Sequence, residues 1–424
     1  MRVEKFQLNN FRGIYQTEIA FSPGLNLIVG VNGVGKTAIL DALRILLSQV
    51  MPDLTPAPRY NLGFEESDIM NDRPALTADL SFNCREVNYI YTVHKGRKKW
   101  IDSKAKSIRE QVIETPDQNK LMPVPHKAEH LKKKKHPICV FFSTRRSWAT
   151  EDKSKSPEGP KAAYYRSFAY DRGLRIRDLA EWWKSKEAIA KEAPGGKSAK
   201  QLDAVRNVLE GLLPDFSGWS RDGDEITVNK RVSYLVHGEE RIENYTFNIS
   251  QLSEGERSLI SFAFDLTRRL AQANPDCGDP AIEGTGIVLI DEVDLHLHPE
   301  WQRTITHDLT RIFPKLQFIT TTHSPQVIGE TLPENVILLA SGGTIIPVTE
   351  SLGRNSGWIL RHLMKTNERT VLMEEGLNEA KRLIAEGDLT SARSKAAELR
   401  KDYGPDPDLV TVDTTIDRRK LFTR

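Results

Sequence analysis

The sequence predicts an α/β fold in which helices flank a mainly parallel sheet. One observation is the stretch 25–50, where an apolar run, a glycine-rich loop and a helical pattern follow one another. Another is a set of later apolar runs of strand length, separated by helical patterns, at residues 287–290, 316–320 and 336–339. Continuous apolar runs of this length are typical of parallel strands that helices cover on both faces.

The octapeptide GVNGVGKT at residues 30–37 is the most specific local motif. A strand, a glycine-rich loop, a lysine, a threonine and a helix in this order bind a nucleoside triphosphate. Backbone N–H groups and the helix N-terminus are expected to face the phosphates. Lys36 is expected to place its charge on the outer phosphates, and the Thr37 hydroxyl to hold Mg²⁺. The predicted nucleotide contacts are Gly30, Asn32, Gly33, Val34, Gly35, Lys36, Thr37 and Ala38.

The composition indicates a soluble cytoplasmic protein of two or three lobes. The chain has 424 residues, of which 39% are hydrophobic and 28% charged, which is too long for one small core. No apolar run reaches the roughly 18 residues of a membrane span, and the charged N-terminus does not resemble a secretory signal. Three widely spaced cysteines fit free thiols in a reducing compartment. A net charge of +2 leaves any DNA contact to local basic patches.

The chain divides into four predicted regions. Residues 1–95 carry the phosphate loop and a lobe of antiparallel strands, and residues 96–250 form a polar insertion followed by a helical lobe. Residues 251–345 return to the pattern of buried strands and helices. Residues 346–424 are predicted to be a helical C-terminal region.

Several stretches outside the phosphate loop have a simple structural interpretation. The lysine-rich stretch 95–135, which ends in HLKKKKH, is interpreted as a solvated loop, with a nucleic-acid contact as the alternative. The GGKS at 195–198 lacks a preceding strand and is rejected as a second nucleotide site. One ring of the Trp182–Trp183 pair is expected to fill the core. The tail is expected to contain two charged amphipathic helices, at 371–385 and 389–403.

Two adjacent carboxylates follow the apolar run at 287–290, in the sequence GIVLIDEVD. Ligands of α/β sheets bind outside the carboxyl ends of the strands, so Asp291 and Glu292 are expected to border the nucleotide. In phosphoryl transfer, Asp291 is expected to fix Mg²⁺, directly or through water. Glu292 is expected to polarise the attacking water.

The segment QLSEGERSL at residues 251–259 places a serine, a glycine and a charged turn before an apolar helix. The N–H groups at such a helix N-terminus, together with the serine hydroxyl, favour the binding of a phosphate. Here the chain resembles the ABC-type ATPases, whose signature is LSGGQ or SxGE, and more narrowly their RecF/SMC/Rad50 branch. The motif order supports the resemblance, with the signature 38 residues before Asp291. It implies that Ser253, Gly255 and Glu256 close over the nucleotide held by the opposite subunit.

Three further motifs extend the resemblance. FITTTHSP ends near His323, which is similar to the switch histidine that contacts the γ-phosphate in ABC ATPases. NNFRGI resembles the family's NFR motif, which implies that Arg12 reaches the phosphates or the base; a structural role is the alternative. DLHLHP resembles the LHP loop of RecF-like and OLD-like ATPases, which faces the dimer partner, so zinc binding by His296 and His298 is not expected.

Some features of related proteins are absent from the sequence. No sustained heptads occur in the 217 residues from Lys36 to Ser253, so the coiled coils of SMC and Rad50 proteins are not expected. The 101 residues after His323 leave little room for the TOPRIM nuclease domain of OLD-like proteins, so no intrinsic nuclease activity is expected. The family's Q-loop glutamine is not found, because FFSTRR in the corresponding region offers Ser143, Thr144 and Arg145 instead.

The resemblance refines the fold class to an ABC ATPase head. It comprises a P-loop sheet with flanking helices and an antiparallel β lobe, together with a helical insertion and a small helical C-terminal tail. The overall layout is most similar to the ATPases of Septu and retron-associated Septu antiphage systems. That similarity implies an ATP- and Mg²⁺-dependent ATPase working as a homodimer, or a multiple of dimers, around two ATP molecules. It also implies a separate HNH-type nuclease chain that the ATPase restrains or licenses.

Two alternative functions are left open by the sequence. In a RecF-like DNA clamp for repair, residues 132–135 and Arg145–Arg146 would line a duplex channel, and DNA affinity would fall steeply with salt. In a nucleotide-sensing scaffold, the chain would bind ATP and hydrolyse little of it. Turnover assays with and without DNA or phage extract separate this scaffold from the ATP-hydrolysing dimer.

Overall fold

The computed structural model describes residues 1–98, 100–101, 112–113, 118–122, 135–144, 160–169, 176–223, 225–237, 239–367 and 369–422. Within them the chain forms two compact units, Met1–Arg354 and Asn355–Arg424. The four regions expected from the sequence stay a prediction.

The described strands and helices alternate along much of the first unit. In chain order the strands are β1 (Arg2–Phe11), β2 (Ile14–Ala20), β3 (Leu25–Val29), β4 (Ala75–Cys84), β5 (Val87–Gly96), β6 (Trp100–Ile101), β7 (Val112–Ile113), β8 (Gln118–Met122), β9 (Ile138–Phe142), β10 (Phe216–Asp222), β11 (Glu225–Val236), β12 (Glu239–Asn248), β13 (Gly286–Ile290), β14 (Leu316–Thr321), β15 (Val336–Leu339) and β16 (Ile345–Ile346). The helices are α1 (Lys36–Leu54), α2 (Ile176–Glu192), α3 (Lys197–Leu212), α4 (Glu254–Ala273), α5 (Pro280–Glu283), α6 (Pro299–Ile312), α7 (Pro325–Gly329), α8 (Ser356–His362), α9 (Val371–Glu386), α10 (Leu389–Tyr403) and α11 (Pro407–Phe422).

A mainly parallel sheet forms the centre of the first unit. Among the described residues it has six strands in the order β16-β15-β3-β14-β13-β9, and only the β15–β16 pair is antiparallel. The five parallel strands are buried along their whole length. Burial on both faces explains why these strands are continuous apolar runs rather than alternating ones. The α/β class and the parallel sheet predicted from the sequence are confirmed.

An antiparallel lobe packs beside this sheet, in the strand order β2-β1-β4-β5-β8. Strand β4 buries every second side chain from Leu76 onward, as expected of a sheet with one covered face. The turn between β4 and β5 has two residues, Arg85 and Glu86, with φ values of 54° and 69°. Positive φ at both central residues is what a tight two-residue hairpin requires. The predicted antiparallel lobe is therefore present.

The helical insertion packs α2 and α3 against α4, and one tryptophan of the pair fills its core. Trp183 is fully buried, whereas Trp182 is half-buried and meets Phe264 edge to face with ring centroids 5.3 Å apart. The expected core role for one ring is confirmed. The sequence reading missed β10, a short strand that pairs antiparallel with β11. Its polar sequence, FSGWSRD, shows little of the alternation that predicts strands.

We expect Trp183→Ala to destabilise the first unit strongly. Removing a fully buried aromatic side chain costs about 3–5 kcal/mol, because it loses the burial of the ring and leaves a cavity. Urea unfolding followed by circular dichroism measures the loss. Trp182→Ala is the matched control and is expected to cost less, since that ring keeps part of its surface in water. Equal costs for the two substitutions would contradict the assignment of Trp183 as the core residue.

The described residues of the C-terminal unit form four helices, two more than the predicted pair, because α8 precedes that pair and α11 follows it. Helices α9 and α10 match the predicted pair, and the described residues add α11 after them. Helix α11 begins at Pro407, and proline is tolerated at the first position of a helix because its missing N–H has no partner there. Leu409, Val412 and Ile416 then recur at helical spacing and join the core of the bundle.

The basic residues proposed for DNA contact lie mostly outside the described residues. This applies to residues 132–134 and to Arg145–Arg146. Lys135 is described, and its ammonium forms an ion pair with Glu283 at 2.7 Å. None of the helices described is both long and apolar enough to cross a lipid bilayer.

Candidate nucleotide site

Three of the predicted motifs meet at one edge of the parallel sheet. The phosphate loop follows β3, the carboxylates Asp291 and Glu292 follow β13, and His323 follows β14. Strand β14 lies between β3 and β13, and all three run parallel. Their carboxyl ends therefore lie side by side, at the edge where ligands bind in α/β sheets.

The phosphate loop depends on its glycines. Gly33 and Gly35 have φ values of 77° and 108°, a conformation that favours glycine. A Cβ atom on Gly30 would lie 2.4 Å from the carbonyl oxygen of Leu339, so only glycine lets the loop pass β15. Gly35 is also the N-cap of α1, and no side chain caps that helix. The first N–H groups of α1 are thus left without a side-chain partner at the loop, where a phosphate is expected.

Lys36 is buried under this loop and bonds to the loop backbone. Its ammonium donates to the carbonyl oxygens of Gly30 at 2.8 Å and Val31 at 3.1 Å. Burial lowers the pKa of Lys36 to about 8, while the carboxylates of Asp291 and Glu292 oppose that shift. Of the other predicted contacts, Asn32, Gly33 and Thr37 are exposed, Gly35 and Ala38 are half-buried and Val34 is buried.

Thr37 and Asp291 form a pair of oxygen ligands suited to Mg²⁺. The Thr37 hydroxyl lies 3.3 Å from both carboxylate oxygens of Asp291. Magnesium prefers oxygen ligands, and one or two carboxylates usually hold it beside the phosphates of a nucleotide. A hydroxyl and a carboxylate this close together are therefore the residues that would hold Mg²⁺ here.

Glu292 adopts an unusual backbone conformation beside this pair. Its φ is 52°, a left-handed conformation that costs an L-residue about 1–2 kcal/mol. The backbone N–H of Glu292 donates to the Thr321 hydroxyl at 2.8 Å, and the N–H of Val293 donates to the Thr321 carbonyl at 2.9 Å. These two bonds hold the turn in which Glu292 lies, and sequence reasoning did not find them.

His323 lies in the electric field of the same groups. Burial lowers its pKa, and the positive charge of Lys36 lowers it further. The carboxylates of Glu292, Asp294 and Asp291 act in the opposite direction without reversing the shift. His323 is therefore held as a neutral imidazole at neutral pH, which can both donate and accept a hydrogen bond.

The signature turn begins α4 with a capping box. The backbone N–H and the hydroxyl of Ser253 each donate to Glu256 at 2.8 Å, and the Glu256 N–H donates back to the serine oxygen at 3.4 Å. Lys230 forms an ion pair with Glu256 at 2.5 Å. Burial disfavours the charge on Glu256, but the bonds from Lys230 and Ser253 outweigh it and lower the pKa. Ser253 is exposed, whereas Glu256 is buried and bonded within its own chain.

The signature glycine packs against the loop that follows Glu292. A Cβ atom on Gly255 would lie 2.3 Å from the carbonyl oxygen of His296. His296 has a φ of 63°, and its imidazole lies 3.9 Å from Glu254. The next histidine, His298, caps α6. Across the described residues, no three or more His, Cys, Asp and Glu side chains are grouped as a metal site.

Arg12 is held by two carboxylates. Its guanidinium donates to Asp41 at 2.7 Å and to Asp68 at 2.9 Å. Asp41 lies on α1, and Arg44 of the same helix is 3.5 Å from it. These contacts give Arg12 the structural role that the sequence left as an alternative, and its contact with the nucleotide stays a prediction.

The comparison with known proteins identifies the family. A family model described as "AAA domain, putative AbiEii toxin, Type IV TA system" matches residues 25–329, which is well over half of the chain. The chain belongs to this family. The matched range includes the phosphate loop, the signature turn, the Asp291–Glu292 pair and His323.

Individual relatives cover most of the chain. "Retron Ec83 probable ATPase" of Escherichia coli is 26% identical, with 99% of this chain and 87% of that protein aligned. "Septu protein PtuA" of Bacillus thuringiensis is 22% identical, covering 80% of this chain and 75% of that protein. The SMC head domain from Thermotoga maritima superposes with a TM-score of 0.44 at 15% identity, over 82% of this chain and 100% of that domain. The predicted place of the chain among RecF/SMC/Rad50-type ATPases, with retron and Septu ATPases as relatives, is confirmed.

Proposed function

We propose that this chain binds and hydrolyses ATP as a homodimer, or a multiple of dimers, in the cytoplasm. The observation that supports the proposal most is the Thr37–Asp291 pair, 3.3 Å apart. It brings the phosphate loop and the carboxylate strand together and supplies two oxygen groups that would hold Mg²⁺. Lys36, Glu292 and His323 border the same pair, as their mutual electrostatic effects indicate.

In the proposed reaction each side chain has a separate task. Lys36 exchanges its two backbone carbonyl partners for oxygens of the outer phosphates. Glu292 accepts a proton from the attacking water as the bond between the γ-phosphorus and the bridging oxygen breaks, which releases ADP and phosphate. His323 donates a hydrogen bond to the γ-phosphate. Thr37 and Asp291 would hold Mg²⁺, which would supply positive charge against the phosphate oxygens.

The proposed dimer requires the signature turn of each protomer to close over the nucleotide of the other. Support comes from the exposed Ser253 at the N-terminus of α4, a helix of 20 residues whose first N–H groups attract anions. Ser253 and Gly255 supply the contact, and Glu256 shapes the turn through its capping box.

A serine-to-arginine change tests this dimer. The Glu292→Gln variant is expected to bind ATP without hydrolysing it. We therefore expect the mass of its particles to double when ATP is added, as measured by mass photometry. Adding Ser253→Arg to that variant is expected to prevent the doubling, because the long cation blocks the turn, while each protomer still binds ATP. An ATP-independent mass, or doubling that survives Ser253→Arg, would contradict the proposed arrangement.

We further propose that the nucleotide state of the dimer controls a separate HNH-type nuclease in antiphage defence. The support is the similarity to proteins named as a retron ATPase and as Septu PtuA. Reading the neighbouring genes for an HNH-type nuclease, and reconstituting this chain with that nuclease, tests the proposal. With the wild type, the rate of DNA cleavage is expected to differ between samples with ATP and samples without nucleotide. With Glu292→Gln, the cleavage rate is expected to stay at the value typical of the ATP-bound state. The same cleavage rate with and without ATP, and with the wild type and Glu292→Gln, would refute the regulatory role.

A further inference from the structure

Three consecutive threonines precede His323, two at the end of β14 and the third directly after it. Thr320, Thr321 and Thr322 are all fully buried. Their hydroxyls serve different partners, since Thr320 donates to the carbonyl of Asn26 at 3.5 Å and Thr322 donates to Asp294. Thr321 differs from both because its single hydroxyl contacts two consecutive residues of the carboxylate motif.

The hydrogen-bond directions at Thr321 follow from the groups themselves. A backbone N–H can only donate, so the Glu292 N–H gives its proton to the Thr321 oxygen at 2.8 Å. A hydroxyl has one proton of its own. That proton is therefore directed to Oδ1 of Asp291, at 2.7 Å. The one hydroxyl of Thr321 therefore makes two hydrogen bonds: it donates to the carboxylate of Asp291 and accepts from the backbone N–H of Glu292.

This contact orients the Asp291 carboxylate. Oδ1 is bonded to Thr321, and both oxygens lie 3.3 Å from the Thr37 hydroxyl. The rotation of the carboxylate is fixed between β14 on one side and α1 on the other. Second partners of this kind orient the ligands of metal sites and tune their affinity.

The same threonine also fixes the turn that contains Glu292. Its hydroxyl accepts from Glu292, and its carbonyl accepts from the Val293 N–H at 2.9 Å. Both bonds hold a residue whose φ of 52° is disfavoured in most contexts. Without the hydroxyl, the Glu292 N–H loses its hydrogen bond to Thr321.

We propose that Thr321 is a positioning residue that sets Asp291 for Mg²⁺ and Glu292 for water activation through one hydroxyl. The inference rests on the proposed function and extends it to a buried residue outside the predicted nucleotide and metal contacts. The inference concerns the hydroxyl specifically. A valine at this position has nearly the same shape but no hydroxyl and is expected to lose the function, whereas a serine keeps the hydroxyl and is expected to keep the function.

The test compares three substitutions in the full-length protein. Thr321→Val removes the hydroxyl, Thr321→Ser keeps it, and Thr320→Val makes the same chemical change one residue earlier, where the hydroxyl faces Asn26. The first measurement is the Mg²⁺ concentration that half-saturates binding of a fluorescent ATP analogue. The second is the turnover number for ATP, and thermal melting checks that each variant is folded.

We expect Thr321→Val to raise the half-saturating Mg²⁺ concentration and to lower turnover, each by about 10- to 100-fold. Thr321→Ser and Thr320→Val are expected to stay within about threefold of the wild type. If Thr321→Val does not fold, Thr321→Ala removes the same hydroxyl without putting a methyl group in its place. Wild-type values for the hydroxyl-free variant, or equal losses in Thr320→Val, would overturn the inference.

The two readouts separate this inference from the proposed function. A wild-type protein that does not hydrolyse ATP contradicts the proposed function, and the Mg²⁺ dependence of nucleotide binding still decides the role of Thr321. Conversely, a wild type that hydrolyses ATP, together with a Thr321→Val variant that does so equally well, contradicts only the positioning role.

Discussion

Glu292→Gln is expected to slow ATP hydrolysis at least about 100-fold while leaving ATP affinity nearly unchanged. An amide has the shape of the carboxylate but does not accept a proton from water, and general bases contribute about 10²- to 10⁴-fold to rates. The backbone anchors of this residue do not involve its side chain, so the left-handed turn is retained. Phosphate release under saturating ATP measures the effect.

A matched control for this variant is Glu210→Gln, on the exposed side of α3. It removes the same charge elsewhere on the chain and is expected to keep full turnover. Equal hydrolysis by the wild type and Glu292→Gln would refute the role of Glu292 as the base. A loss of ATP binding in Glu292→Gln would instead assign this residue to the binding site.

Lys36→Ala is expected to abolish tight nucleotide binding. A hydrogen bond to a charged group contributes about 1.5–3 kcal/mol, so its loss weakens binding about 10- to 150-fold. The buried position of Lys36, next to three carboxylates, makes the effect larger, because without it those negative charges face the phosphates unopposed. Equilibrium binding of a fluorescent ATP analogue measures the change.

The chain supplies its own control for Lys36 in Lys197, which follows Gly195–Gly196 in the rejected GGKS stretch. Lys197 lies at the start of α3 and forms an ion pair with Asp276. Since no strand precedes that loop in the structure, Lys197→Ala is expected to leave nucleotide binding unchanged. Similar losses in the two variants would contradict the assignment of the nucleotide site to residues 30–37.

Much of the fold and the order of the site motifs followed from the sequence. The phosphate loop, the Asp291–Glu292 pair and His323 each follow an apolar run, and parallel strands bring such positions to one edge. Apolar runs and glycine spacing are local patterns, so one chain is enough to find them.

The contacts that complete the site did not follow from the sequence. Thr321 lies 30 residues from Asp291 along the chain, and nothing in the TTT run shows which hydroxyl faces the neighbouring strand. Strand pairing decides it, because side chains alternate across the sheet. Arg12 likewise matched a motif. Its partners Asp41 and Asp68 come from two other segments of the chain, and no pattern in the sequence shows that these segments lie beside Arg12.

Glu256 illustrates a similar limit. Its place in the signature implies a role toward the opposite subunit, and the structure shows a buried carboxylate bonded to Ser253 and Lys230 of the same chain. Lys230 comes from β11, and the sequence did not predict the pairing of β11 with the short strand β10. The capping box itself was readable, since a serine followed three residues later by a glutamate predicts it.

The most direct measurement is a crystal structure of Glu292→Gln with Mg²⁺ and ATP or a non-hydrolysable analogue. We expect two protomers around two nucleotides, with the hydroxyl of Ser253 from one protomer within about 3 Å of a γ-phosphate oxygen at the other protomer's phosphate loop. If every copy of Ser253 in that crystal lies beyond hydrogen-bonding distance of all the bound triphosphates, the proposed ATP-enclosing dimer is wrong.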